Sequence, residues 1–245
     1  GSNYYDAIML SDKVCTDPAF MAEGGAKNVA RRDGMGTTLL SAVEVIGRIP
    51  DAYFQAIGSG TGAIAVWENN LRLIEDGRWG SHKMRLYPSQ NEPFTIMYDS
   101  WKLHSRQLVG MSPDDARKAA AEIDAKVLSN RKPPYSLAGG LFDAMEDAGG
   151  DMFKADNEEL RYWKKRFAEL EGIDIHDAPA VAVASLAQAV NEGVVKKDET
   201  IMLNITGGGE ELAKSEHEVF YAKPHLVLDP ALPPEDIISA VKDLF

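Results

Sequence analysis

The chain has 245 residues, 44% hydrophobic and 26% charged, enough apolar material for one large domain, or one domain and part of another. A formal net charge of -12 argues against nucleic acid and anionic membranes as main partners, and the single cysteine, Cys15, excludes an intrachain disulfide and suits a reducing compartment. No apolar run of about 18 residues could span a bilayer, and the first residues do not read as a secretory leader, so the expected location is the cytoplasm.

Residues 3–14 carry apolar residues at helical spacing, with Asn3 as cap and Asp6 in the first turn. TDPAFMAEGGAKNVARRDGMG reads as a loop rich in glycine and charge. A helix is predicted over 37–47, capped by Thr37 or Thr38 and stopped by Gly47. AYFQAIG is a short buried strand, 62–76 a helix ended by Gly77, MRLYPSQ a second strand, and Pro93 opens a helix through PFTIMYDSWKLHSR. SPDDARKAAAEIDAKVLSN is a surface helix with Ser112 as cap and Pro113 at its first position. RKPPYSLAGG is a loop, LFDAMEDAGG a short helix and DMFKA a strand. Asp156 caps the amphipathic NEELRYWKKRFAELEG, and the alanine density of APAVAVASLAQAVNEG predicts a helix packed closely on a sheet. TIMLNITGGG is a strand and a glycine turn, PHLVLD one more strand, and a closing helix runs from Pro234 to Phe245. Strands alternating with helices predict an α/β fold, a mainly parallel sheet flanked by helices, with sites beyond the carboxyl ends of its strands.

Two glycine turns follow predicted strands. At Gly58, Ser59, Gly60, Thr61 and Gly62, successive main-chain N–H groups and the end of a helix dipole suit a phosphate, and the two hydroxyls add donors. No Lys-Ser or Lys-Thr pair follows, so the turn is not a P-loop, and the dinucleotide fingerprint spacing is not met. An unliganded strand-to-helix turn is the plain alternative. The second turn, LNITGGGE, presents Thr206 and three glycines. The two turns are expected to face one crevice.

The stretches EGGAKNVARRDGMGTTLLSAVEVIGRIPDAYFQAIGSGTGAIAVWENNLRLIEDG, SQNEPF and LNITGGG, in that order, resemble the threonine synthase branch of the fold-type II pyridoxal-phosphate enzymes. Within that branch they are most similar to the cysteate synthase family of methanogens. The resemblance implies a large domain of the tryptophan synthase β kind, over residues 25–245, with 1–24 a remnant or return segment of the smaller domain. It implies pyridoxal 5'-phosphate as cofactor, its phosphate on Gly58–Gly62 and the Thr206 hydroxyl opposite the pyridine nitrogen. It implies replacement at a β-carbon, O-phosphoserine and sulfite giving cysteate and phosphate, a step towards coenzyme M. Threonine formation from O-phosphohomoserine is the alternative, and a non-catalytic module binding a phosphorylated ligand is an alternative of another kind. The family's Schiff-base lysine lies in its amino-terminal half, so this chain is expected to lack it and to be inactive alone. A homo-oligomer is also implied.

Lys27 and Arg31, inside the resembling motif, are expected to draw small anionic substrates into the crevice, with Arg32 evenly balanced between that and a solvated turn. Gln90, Asn91 and Glu92 end a strand, as cofactor-facing residues or as a cluster that fixes the loop. Ser136 is a weaker case of the same kind. Asp177 reads as a helix cap, Cys15 as a packing residue, and Trp67, Trp79, Trp101 and Trp163 as core. The scattered histidines offer no metal-site spacing.

Overall fold

A computed structural model describes residues 3–245. Helix α1 (Tyr4–Val14) starts at Asn3, whose side chain accepts from Tyr5 and Asp6 N–H while Asp6 closes the capping box. Helix α2 (Val29–Ile46) begins at Asn28, well before the predicted Thr37, and runs through Gly34 and Gly36. Its glycines follow tertiary packing: a Cβ at Gly36 would lie 1.7 Å from Asn69 Nδ2 on the neighbouring helix. Glycine in a helix costs roughly 1 kcal/mol, and close helix–helix approach offsets it here. A single 3-10 turn, Gly25–Lys27, precedes Asn28.

The remaining elements are β1 (Ala52–Ala56), α3 (Thr61–Asp76), β2 (Arg85–Asn91), α4 (Ile96–Lys102), α5 (Pro113–Glu122), α6 (Leu141–Ala148), β3 (Phe153–Ala155), α7 (Asn157–Glu171), α8 (Asp177–Asn191), β4 (Ile201–Leu203), α9 (Glu210–Glu216) and α10 (Pro234–Lys242). Ser112 and Pro113 open α5 as predicted, but α5 stops at Glu122, and Lys126–Leu128 forms a separate 3-10 turn. Asp156 caps α7 in a box with Glu159. Asp177 is not the cap of α8 but its first residue, after His176; its carboxylate pairs with Lys164 at 2.7 Å. PHLVLD is not a strand. Residues 224–229 lie outside regular structure, with Val227 81% exposed, because no neighbouring strand accepts their backbone. Helix α9, in a stretch for which no element is predicted, is short and exposed.

All pairings in the four-stranded sheet are parallel, in the order β3-β2-β1-β4. The chain leaves β1 towards β2 and β3, then returns through α7 and α8 to place β4 on the other side of β1. The order therefore reverses between β1 and β4, and open α/β sheets bind ligands beyond the strand ends at such a point. Side chains alternate across the sheet. Tyr53 and Leu86 face the layer with α3, α4 and α6, while Phe54, Tyr87 and Phe153 face the α8 side. Phe54 and Tyr87 stack at 4.8 Å. Ala180, Val181, Ala182 and Ala184 of α8 are fully buried, so the alanine run does bring a helix close to a sheet. Each buried large side chain contributes about 1.5–3 kcal/mol. Trp67, Trp79 and Trp101 pack on one cluster and Trp163 on another. Among the described residues no helix is long and apolar enough to cross a membrane.

Candidate functional site at the β1 and β4 strand ends

The turn between β1 and α3 is built by glycine from three sides. Gly60 caps α3 in the left-handed region at φ 80°, and a Cβ there would lie 2.9 Å from Leu141 Cδ2. At Gly58 a Cβ would lie 2.8 Å from the Val127 carbonyl oxygen, and at Gly62 2.7 Å from the Gln55 amide. The back of the turn is thus packed; Ser59 is half-buried and Thr61 buried. Among the described residues, the N–H groups of Gly58, Ser59, Gly60, Gly62 and Ala63 donate to no protein acceptor, and Thr61 N reaches only Ser59 Oγ at 3.3 Å. The two hydroxyls lie 3.0 Å apart. Unpaired donors at a helix start, with no Cβ to bar approach, suit a phosphate.

Ser59 and Thr61 open into a cleft of about 640 Å³ that also takes in Lys27 and Arg31. Four sequence-predicted residues therefore share one space. Lys27 is exposed. Arg31 donates to Glu23 at 2.7 Å, and that bond, with the Gly25 N–H, holds the Glu23 carboxyl below its usual range. Arg32 bonds Glu68 at 2.9 Å and the Ala26 carbonyl, which settles it as a structural residue. Thr206 does not share this cleft. It is exposed and lines an adjoining cavity of about 520 Å³ with Lys164, His176 and Asp177, and Lys126 and Val127 line that cavity too.

The two strand ends are tied together beneath the turns. Asn204 Nδ2 donates to the Tyr53 hydroxyl at 2.7 Å, Tyr53 donates to Gln55 Oε1 at 3.0 Å, and the Gln55 amide is the group against which Gly62 packs. Burial pushes the Tyr53 phenol well up, against the Asn204 bond, and burial with the Glu146 charge pushes Tyr135 up to about 12. The folded chain holds both phenol protons more tightly than the unfolded chain. Their contribution to stability is complete below pH 10.0, the ordinary tyrosine value, and is lost as pH rises through about 12. Alkaline unfolding in that window is expected, with a last rise of tyrosinate absorbance, beyond that of the exposed tyrosines, coinciding with loss of helix signal; completion of the tyrosinate signal before unfolding contradicts it.

At the end of β2, Gln90 Oε1 accepts from Met97 and Tyr98 N–H at 2.9 Å and so caps α4, while its Nε2 is buried without a partner among the described residues. Asn91 is fully buried. It bonds the Ala155 carbonyl, Asn157 Oδ1 and Ala125 N–H, and Asn157 in turn accepts from Asp124 N–H at 2.9 Å. Glu92 pairs with Lys154 at 2.7 Å. The cluster fixes the loop that carries Val127. Ser136 lines neither cavity.

Sequence reasoning missed Asn130 and Lys132, which also line the larger cleft, as do residues of α1. The only signal was a basic pair before two prolines in a stretch read as plain loop. Lys13 and Lys83 each follow a serine by two residues, but Lys13 donates to Pro230 O, Lys83 pairs with Asp147, and neither lines the cleft.

Residues 1–207 match the family described as pyridoxal-phosphate dependent enzyme. The cysteate synthase of Methanosarcina acetivorans is 48% identical over 97% of this chain and 58% of its own length. That of Methanocella paludicola is 46% identical over 99% of this chain and 57% of its own length. The chain thus spans less than two thirds of either relative. Among solved structures, maize serine racemase superposes with a TM-score of 0.54 at 14% identity, over 75% of this chain and 50% of that one, a likeness of fold alone.

Proposed function

Since the chain belongs to the pyridoxal-phosphate dependent enzymes, a family whose cofactor is pyridoxal phosphate, we propose that it supplies the phosphate-binding domain of a cysteate synthase, which exchanges the phosphate of O-phosphoserine for sulfite. The observation that carries this is the convergence of the glycine turn with Lys27 and Arg31 in one cleft. Residues 25–245 form the cofactor-binding domain, and 1–24 belong to the smaller one.

When bound, the cofactor supplies an electron sink for bond changes at the amino acid's α- and β-carbons. The N–H groups of Gly58–Gly62 hold its phosphate, the α3 dipole adds attraction, and the Ser59 and Thr61 hydroxyls donate from the side. Fixing the phosphate fixes the orientation of everything attached to it. The Thr206 hydroxyl is the candidate partner of the ring nitrogen. Thr206 lines a different cavity from Ser59 and Thr61, so the phosphate seat carries the reading and Thr206 does not. Lys27 and Arg31 draw in the anionic substrates. No lysine of this chain is assigned the anchoring of the cofactor.

Phosphate release by the protein that contains this chain tests the reaction. Release from O-phosphoserine that depends on sulfite and yields cysteate is expected. Sulfite-independent release from O-phosphohomoserine replaces it with threonine formation. No release from either, with no binding of pyridoxal phosphate, leaves a non-catalytic module.

A further inference from the structure

The proposed reaction joins two anions, and a cleft that serves it needs positive charge in two places. The charge available near the glycine turn is smaller than the sequence suggests. Arg31 is held by Glu23 at 2.7 Å and Arg32 by Glu68 at 2.9 Å. Lys27 forms no ion pair among the described residues. A third cation, Lys132, enters the same cleft from the opposite loop. Its ammonium has only loose company: Asp12 at 3.6 Å, Met9 Sδ at 3.4 Å, and the Tyr5 ring at 5.7 Å. Its side chain is 53% exposed. It is thus a charge that a small oxyanion can engage without first breaking a tight pair.

The loop beneath Lys132 is rigid, unlike an ordinary surface lysine's. Asn130, 6% exposed, accepts the Lys132 N–H at 2.8 Å through its own side chain. Pro133 and Pro134 follow, and the Pro134 carbonyl accepts the Leu141 N–H at 3.1 Å. A Cβ at Gly140 would lie 2.4 Å from that same carbonyl oxygen, so the loop closes tightly on itself. Tyr135, fully buried, anchors it further by donating to the Ser105 carbonyl. A charge on a fixed stem loses less freedom on binding.

We propose that Lys132, with Lys27, forms a second anion seat across the cleft from the glycine turn, and that it binds a small oxyanion nucleophile of the sulfite class. The seat rests on the reading of the glycine turn as the cofactor-phosphate site and names what the remaining space takes. Asp12 and Glu23, which share the cleft, screen it, so binding is modest and salt-sensitive.

The test uses the protein that contains this chain with sulfite alone, without pyridoxal phosphate, by calorimetric titration, and separately with pyridoxal phosphate alone. Lys132→Gln is expected to weaken sulfite binding ~5- to 10-fold, the loss of one charge-assisted contact, and Lys132→Arg to restore most of it. Pyridoxal phosphate affinity is expected to change less than ~2-fold in Lys132→Gln, because the glycine turn is untouched. Absent sulfite binding by the unsubstituted chain, or unchanged sulfite affinity in Lys132→Gln, overturns the seat whatever the cofactor does. Failure of the cofactor reading shows separately, as pyridoxal phosphate affinity that a carboxylate placed at Ser59 does not alter.

Discussion

Ser59→Asp is expected to lower affinity for pyridoxal phosphate at least ~100-fold while leaving the fold as stable as before, or slightly more so. The two effects have opposite signs, which makes the substitution informative. Ser59 Oγ already accepts the Thr61 N–H at 3.3 Å beside the start of α3, and a carboxylate in its place keeps that bond. A negative charge near a helix start adds roughly 0.3–1 kcal/mol of stability. The same carboxylate stands in the cleft where the phosphate is proposed to sit. Two unit charges about 4 Å apart repel by roughly 4 kcal/mol at an effective dielectric constant of 20, which exceeds two decades in affinity. Ser59→Ala, which removes one donor and adds no charge, is expected to cost less than ~10-fold. Titration followed by cofactor absorbance and thermal melting of the same samples reads both effects. Unchanged cofactor affinity in Ser59→Asp removes the phosphate seat from this turn.

Asn91→Leu is expected to destabilise the chain by about 1–3 kcal/mol, the cost of one buried donor left unpaired. Leucine has as many side-chain heavy atoms as asparagine but is bulkier, so crowding adds to the loss. Asn91 Nδ2 donates to the Ala155 carbonyl at 3.0 Å and to Asn157 Oδ1 at 3.2 Å, and Oδ1 accepts the Ala125 N–H at 3.0 Å. Leucine leaves the Ala125 N–H without a partner, while the Ala155 carbonyl keeps the Glu92 N–H and Asn157 Oδ1 keeps the Asp124 N–H. The damage is directional. The released segment, 124–128, supplies the Val127 carbonyl behind Gly58, and its residues 124–127 line the Thr206 cavity. Hydrogen exchange is therefore expected to quicken first over 122–130, ahead of the sheet, and cofactor affinity to fall with it. A loss below about 1 kcal/mol in urea denaturation means that the amide network is not what holds the loop.

Much of the fold is legible in local chemistry. Asn3, Ser112 and Asp156 each announce a helix start, because a short polar side chain beside unpaired N–H groups has few other uses. The β1 glycine turn and the alanine run of α8 are legible for similar reasons. Helix α2 is the instructive miss. Its first turns contain Gly34 and Gly36, which lower local helix propensity, and the benefit of Gly36 exists only where Asn69 of α3 arrives. The segment 224–229 errs the other way. Alternating apolar residues suit a strand, but a strand exists only beside another, and none lies there.

The sequence by itself determined the α/β class, the glycine turn between β1 and α3 and the family resemblance, because each depends on residues near one another along the chain. Only the tertiary structure decided which charges remain available. Glu23 and Glu68 take up Arg31 and Arg32, and Lys132 enters the cleft from a loop far along the chain. It also decided that Thr206 lines a different cavity from the glycine turn's hydroxyls. Ion pairing and cavity walls are set by distance in space, and no spacing along the sequence encodes them until the sheet order β3-β2-β1-β4 brings the strand ends together.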